Sequence, residues 1–176
     1  MRRKLPIEID PFRFAQNGIQ LEGQLQLNKM PRLTQSLLSS EGLVDIKMVF
    51  DVDEIGTPFM HGMFTSTVSM ICERCMNPMD VALSADSFLA MVISERKIEG
   101  LAEQYEPWLL ENNDPVVLST IVEDELILSL PLVPRHQEMC LPSEAWTAGV
   151  DDDQTETESE KRESPFAVLA ELKTKP

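Results

Sequence analysis

Cys72 and Cys75 stand three positions apart where an apolar run breaks into a turn, Ser69-Met70-Ile71-Cys72-Glu73-Arg74-Cys75-Met76-Asn77-Pro78. Two thiols at that spacing can reach one metal ion or close one strained disulfide, and the surroundings decide between them. The third cysteine, Cys140, follows His136 by four residues. C-x-x-C followed by H-x-x-x-C is a complete Cys3His set of the kind tetrahedral zinc accepts, which makes Zn2+ the one cofactor these residues suggest. The plainer reading leaves Cys72 and Cys75 as small, half-buried residues beside a hairpin, with His136 and Cys140 elsewhere. The separation of sixty residues between the two pairs weighs on that side, because short metal modules usually keep their ligand pairs closer.

Two enzymatic chemistries compete with this. A thiol oxidoreductase would use Cys72 as nucleophile and Cys75 to resolve it. Such a pair usually opens a helix after a strand, however, and here it lies between strands beside the acidic Glu73, which disfavours a thiolate. A metal-dependent nuclease would use Glu123, Asp124 and Glu125 to hold Mg2+. Consecutive helical residues point about 100° apart, so the three cannot converge on one ion, and a solvated face accounts better for Glu123 and Asp124.

The elements that must position these residues follow from periodicity. Leu5-Pro6-Ile7-Glu8-Ile9-Asp10 alternates and stops at Pro11, which predicts a short strand ending in a turn. Ile19, Leu21, Leu25 and Leu27 mark a second, half-solvated strand. Leu33, Leu37 and Leu38 repeat at helical spacing behind Pro31, predicting a short helix before Gly42. From Leu43 to Ile93 the pattern is β throughout. Val44, Ile46, Met48, Phe50 and Val52 share one face, Asp53 to Gly56 turns, Met60, Phe64, Val68, Met70 and Cys72 share the next face, and Met79, Val81 and Leu83 continue it. The many methionines read as adaptable core. Residues 99 to 113, polar and interrupted by Pro107, read as a surface loop around an isolated Trp108. Leu118, Ile121, Val122, Leu126, Leu128 and Leu130 cover one arc of a helix that Pro131 and Pro134 close. Glu125 falls inside that arc, where an ionised carboxylate without a partner would cost several kcal/mol. Arg74 on the cysteine turn is the expected partner, since its planar fork satisfies both carboxylate oxygens and the pair would dock the turn against the helix.

The resulting expectation is an α+β domain over residues 1–142, an antiparallel β-meander packed by one main helix with short flanking helices. Residues 143–164 hold eight acids against two bases and read as an acidic, disordered linker. Residues 165–176 regain a short amphipathic helix with Phe166 and Leu169 on one side, either a strap returning to the domain or a peptide for a partner. The formal charge is −15, and outside the linker 22 acids still face 13 bases. Such a chain repels a phosphate backbone, so a basic protein partner is expected rather than a direct grip on nucleic acid. Three cysteines and no basic start leading into an apolar run point to a reducing cytoplasm, no secretion and no membrane span.

Four pieces together resemble the bacterial and plastid YceD-like family. They are Leu5-Pro6-Ile7-Glu8-Ile9-Asp10-Pro11, the Cys72-Glu73-Arg74-Cys75 turn, the run from Val122 to Pro131 with Pro134 and His136, and Ser164-Pro165-Phe166-Ala167-Val168-Leu169. They occur in the family's order over nearly the whole chain. The resemblance implies a noncatalytic ribosome-biogenesis role in synthesis, processing or stability of large-subunit (23S) ribosomal RNA; the acidic charge adds the expectation that contact runs through large-subunit ribosomal proteins or the pre-ribosomal particle, with RNA touched secondarily at most. The resemblance also implies a metal-binding segment, since many relatives carry further cysteines from the His136 to Cys140 region onward. This chain keeps His136 and Cys140 there.

Overall fold

Alternation of apolar and polar side chains along three long strands builds a sheet with one buried face. The computed structural model describes residues 5–110 and 114–141. Strand β1 (Glu8–Ile9) leads into helix α1 (Pro11–Gln16); β2 (Gln20–Gln26) and a 3-10 turn lead into α2 (Pro31–Thr34). Then come β3 (Leu43–Val52), β4 (Pro58–Ile71) and β5 (Pro78–Val92), a second 3-10 turn, β6 (Glu106–Leu109), β7 (Val116–Val117) and α3 (Leu118–Leu128). The main sheet has the order β2-β3-β4-β5-β6, and β1 pairs with β7 in a separate two-stranded ribbon.

The three central strands are long and antiparallel. Register runs from Asp45 opposite Thr65 to Val52 opposite Pro58, and from Phe59 opposite Ala90 to Ile71 opposite Pro78. Val44, Ile46, Met48, Phe50, Met60, Phe64, Val68, Leu83, Leu89 and Met91 line the inner face and are buried. Full burial of side chains of this size contributes about 1.5–3 kcal/mol each relative to exposure. Phe14 of α1 meets Phe50 edge to face at 5.4 Å. Gly62 leaves room on this face for the Phe64 ring, since a Cβ at position 62 would lie 2.4 Å from Phe64 Cζ.

Several sequence expectations are corrected. The opening strand does not join the main sheet. Pro6 and Pro11 flank it, and of the four residues between them Glu8 and Ile9 pair, with Val117 and Val116. Pro11 starts a helix instead of a turn, at the first helical position, with Asp10 accepting the Arg13 N–H at 3.0 Å as its cap. The expected surface loop of residues 99 to 113 contains β6, which runs parallel to β5 and sets Trp108 beside Met91, so the sheet is mixed rather than purely antiparallel. Helix α2 stops at Thr34, four residues short of Leu38. Leu128 is exposed, and Ile127 packs on the core in its place. The acidic segment 143–164 and the terminal segment with Phe166 and Leu169 lie outside the described residues.

Helix α3 packs on two neighbours at once. Its first N–H, on Leu118, is taken by the Ile7 carbonyl at 2.9 Å, so the β1–β7 ribbon does the work of a side-chain cap. Glu125 faces the sheet and is 8% exposed, but its partner is the Ser87 hydroxyl of β5, which donates to Oε2. Arg74 cannot serve, because Ser87 is nine residues along β5 from Pro78, about 30 Å at strand spacing. Glu123 is not on a solvated face. It is 4% exposed and accepts the α2 backbone N–H groups of Arg32 at 2.6 Å and Leu33 at 3.1 Å, with the Arg32 guanidinium on its other oxygen. Asp124, half exposed, also takes Arg32.

Two outcomes follow. Glu123→Ala strands two backbone donors at the α2–α3 contact and should lower unfolding free energy by about 2–3 kcal/mol, read from urea denaturation. For Glu125, burial raises the carboxyl above its ordinary 4.5 despite the Ser87 hydrogen bond, with Glu106 and Asp124 adding to the rise. A raised carboxyl takes up a proton on folding, so its contribution favours the fold at acid pH and is lost as pH climbs from about 4.5 through the raised value. Glu125→Gln, whose amide oxygen can still accept from Ser87, should flatten that fall in stability with pH; a fall as steep as in the wild type would contradict the assignment.

Candidate metal centre

The long β4–β5 hairpin ends in a turn whose backbone is tightly specified. Cys72 N–H donates to the Asn77 carbonyl at 3.0 Å and Met76 N–H to the Cys72 carbonyl at 2.9 Å. Met76 sits at φ 58°, the left-handed region that favours glycine, and is the only non-glycine residue there among the described ones. The amide of Arg74 points back at Cys72 Sγ, 3.4 Å away. This curls the turn around one sulfur and sets Cys75 beside it.

The segment after α3 closes on the same point. Ser129 caps the helix through its hydroxyl to the Leu126 carbonyl, and Pro131 and Pro134 keep the helix from continuing beyond. Glu73 N–H donates to the Pro134 carbonyl at 2.9 Å. The Arg74 guanidinium donates to the His136 carbonyl and reaches Met139 Sδ at 3.6 Å. Arg74 therefore docks the cysteine turn against the residues that follow α3, and not against Glu125 within it. Its Nε is buried with no hydrogen-bond partner among the described residues.

These ties bring together residues that sixty positions separate. One ligand atom from each of Cys72, Cys75, His136 and Cys140 lies within 4.8 Å of all the others. Cys72 Sγ is 3.8 Å from Cys140 Sγ, and Cys75 Sγ is 3.5 Å from His136 Nδ1. A tetrahedral ion at ordinary zinc bond lengths separates two sulfurs by about 3.8 Å and a sulfur from an imidazole nitrogen by about 3.6 Å. The donor set and its spacing therefore fit a four-coordinate metal. All three cysteines are free thiols. Cys72 is fully buried, whereas Cys75, His136 and Cys140 are half-buried.

The electrostatics shows what the cluster lacks by itself. Burial works to raise Cys72, but N–H donors from the His136, Cys75 and Arg74 backbone overcome it and bring the thiol down to about 5. Cys140 goes the other way, pushed up to about 11 by burial and by its hydrogen bonds to Cys75 and Cys72. One negative charge is held at Cys72, and a second beside it is resisted. A divalent cation at the centre would remove that resistance.

Among the other expected site residues, Glu123, Asp124 and Glu125 do not converge, as Glu123 is bound to α2 and Glu125 to Ser87. Phe166 and Leu169 lie outside the described residues. The periodicity reading missed Ser87 and Glu123. Ser87 could have been found as the one polar residue among the inward positions Leu83, Ala85, Leu89 and Met91 of β5.

The family model for the large ribosomal RNA subunit accumulation protein YceD matches residues 60–173. That stretch holds both halves of the cysteine–histidine cluster. The chain belongs to the YceD family. The large ribosomal RNA subunit accumulation protein YceD of Haemophilus influenzae is 33% identical to it over 174 residues, 98% of either chain. No solved structure matches the chain. No helix among the described residues is long and apolar enough to cross a membrane.

Arg74→Ala removes the donor to the His136 carbonyl and the filling against Met139. Loss of one hydrogen bond from a charged donor should cost about 1.5–3 kcal/mol in urea unfolding, and Arg74→Lys, which keeps charge without the fork, should recover only part of it.

Proposed function

We propose that the chain is a noncatalytic ribosome-biogenesis factor that supports accumulation of large-subunit (23S) ribosomal RNA, acting on its synthesis, processing or stability in the cytoplasm through basic large-subunit ribosomal proteins. The observation that carries the reading is full-length similarity to a relative named for large ribosomal RNA subunit accumulation. The charge of −15 favours a protein over RNA as the surface contacted. Phe166 and Leu169, beyond the acidic linker 143–164, belong to this reading as a strap or partner-binding stretch.

Cys72, Cys75, His136 and Cys140 hold a structural Zn2+ in this proposal. Four protein ligands fill a tetrahedral ion and leave no open position for water or substrate, the arrangement of structural rather than catalytic zinc. When bound, zinc supplies a cross-link between the β4–β5 turn and the segment after α3, and it holds three thiolates together. Arg74 adds donors and positive charge beside a centre whose net charge would be −1.

The enzymatic alternatives find less support. A thiol oxidoreductase needs an accessible nucleophile, and Cys72 is fully buried with Cys140 Sγ 3.8 Å away. A nuclease site at Glu123, Asp124 and Glu125 needs converging carboxylates, and the two glutamates are engaged on different elements.

Two measurements test the proposal. Purified protein should contain about one zinc per chain by elemental analysis, and chelation should lower Tm by at least about 5 °C. Reduced protein that neither holds nor takes up zinc ends the metal assignment, and Cys140→Ser should bind more weakly than the wild type. On gradients of cell extract the protein should travel with pre-50S particles at low salt and leave them as salt rises; absence from those fractions at every salt concentration would sink the ribosomal reading.

A further inference from the structure

Helices α1 and α3 pack on the inner face of the main sheet, through Phe14 on Phe50 and Glu125 on Ser87, while α2 packs on α3, and no described α-helix packs on the outer face. Register places Val49, His61 and Phe88 side by side across β3, β4 and β5, with Lys47, Met63 and Asp86 in the next row. Phe88 is 40% exposed and Met63 37%. The His61 ring stacks on Phe88 with centroids 3.9 Å apart and planes 11° apart. Its Nε2 lies 2.7 Å from Asp86 Oδ1. The aromatic pair is thus held flat and in one orientation, as a pre-organised anchor would be.

Around this apolar centre the face is acidic. Glu22, Asp45, Asp51 and Asp86 alternate outward on the strands beside it, whereas Asp80, eight residues along β5 from Phe88, is about 26 Å away at strand spacing, and Lys47 is the only Lys or Arg in the five strands. A groove of about 1090 Å3 extends over β2 to β4 among Glu22, Asp45, Lys47, Val49 and Met63. An apolar centre with a charged rim is the anatomy of a protein-binding surface. The sign of the rim selects cations, because guanidinium groups can lie flat on an aromatic face while forking onto a carboxylate. Phosphates would be repelled.

We propose that this open sheet face receives an arginine- and lysine-rich segment of a protein partner, anchored on the Phe88–His61 stack and Met63 and steered by Asp86, Asp45 and Glu22. The proposal rests on the reading of the chain as a factor that acts through basic ribosomal proteins, and it names the surface that does so.

Fluorescence anisotropy of labelled nona-arginine, titrated with the full chain at moderate salt, tests it. Phe88→Ala, Met63→Ala and Asp86→Asn should each weaken binding about tenfold. Glu41→Gln, which removes the same unit charge from the loop before β3, should change it by no more than about twofold. Circular dichroism confirms that each variant is folded. The proposal is overturned if the wild type does not bind, if Phe88→Ala and Met63→Ala bind as the wild type does, or if Asp86→Asn and Glu41→Gln weaken binding equally. It is also overturned in favour of RNA if a single-stranded RNA oligonucleotide binds the wild type and is lost with the same variants. Gradient sedimentation separates this failure from failure of the ribosomal reading. A wild type absent from pre-50S fractions defeats that reading, whereas variants that enter those fractions as fully as the wild type defeat only the docking face.

Discussion

Three sulfurs and an imidazole nitrogen gathered within 4.8 Å form an arrangement that resists its own charge. Hydrogen bonds from three backbone amides stabilise one thiolate at Cys72, and that thiolate then helps hold Cys140 protonated. The rest of this end of the molecule exists to enforce the gathering. The turn of β4 into β5 curls on Cys72, Glu73 ties it to Pro134, and Arg74 spans to His136. The last two links join the hairpin to chain that returns only after β5, β6 and α3. A cluster built from such distant segments forms only once the sheet and the helix are in place, so its integrity reports on the whole fold.

Helix α3 carries the other long-range constraint. Its two buried carboxylates face different neighbours: Glu123 holds the start of α2, and Glu125 reaches Ser87 on the sheet. Between them they fix the rotation of the helix about its axis. That rotation decides where the chain emerges at Pro131, and so where His136 and Cys140 arrive. The hydrogen bonds are unequal in character. Glu123 has backbone donors and an arginine, as a buried carboxylate requires, whereas Glu125 has one hydroxyl and bears the cost of burial in its raised pKa.

The legibility of these features in the sequence followed their range. Strands β3, β4 and β5 could be read residue by residue because a one-sided sheet writes a period of two into the chain. Glu125 was visible as a polar interruption of the α3 arc, and the Cys3His set was visible as composition. What could not be read was which segments meet. Pairing Glu125 with Arg74 failed because sequence alone does not say how far along β5 the helix crosses, and Ser87 lies about 30 Å from the turn. Glu123 was misread as solvated because the apolar arc describes only the neighbour that buries hydrophobic residues, whereas α2 meets α3 through polar groups. Strand β6 was hidden by Pro107, which a sheet edge accepts because one side of an edge strand needs no donor.

The sheet's two faces divide the molecule's work. The inner face, with its methionines and phenylalanines, carries stability and positions α3. The outer face carries five acids and one lysine on its strands, and its contacts among the described residues are local ones, such as His61 with Phe88 and Asp86 and Gln24 with Asp45. A sheet needs only polar outer residues to stay soluble, and threonine and serine, present at Thr65, Thr67 and Ser84, meet that need without charge. The acids Glu22, Asp45, Asp51 and Asp86, set near exposed Phe88 and Met63, go beyond it. They lower affinity for nucleic acid and raise it for cations, which agrees with the proposed engagement of a basic protein segment rather than of RNA.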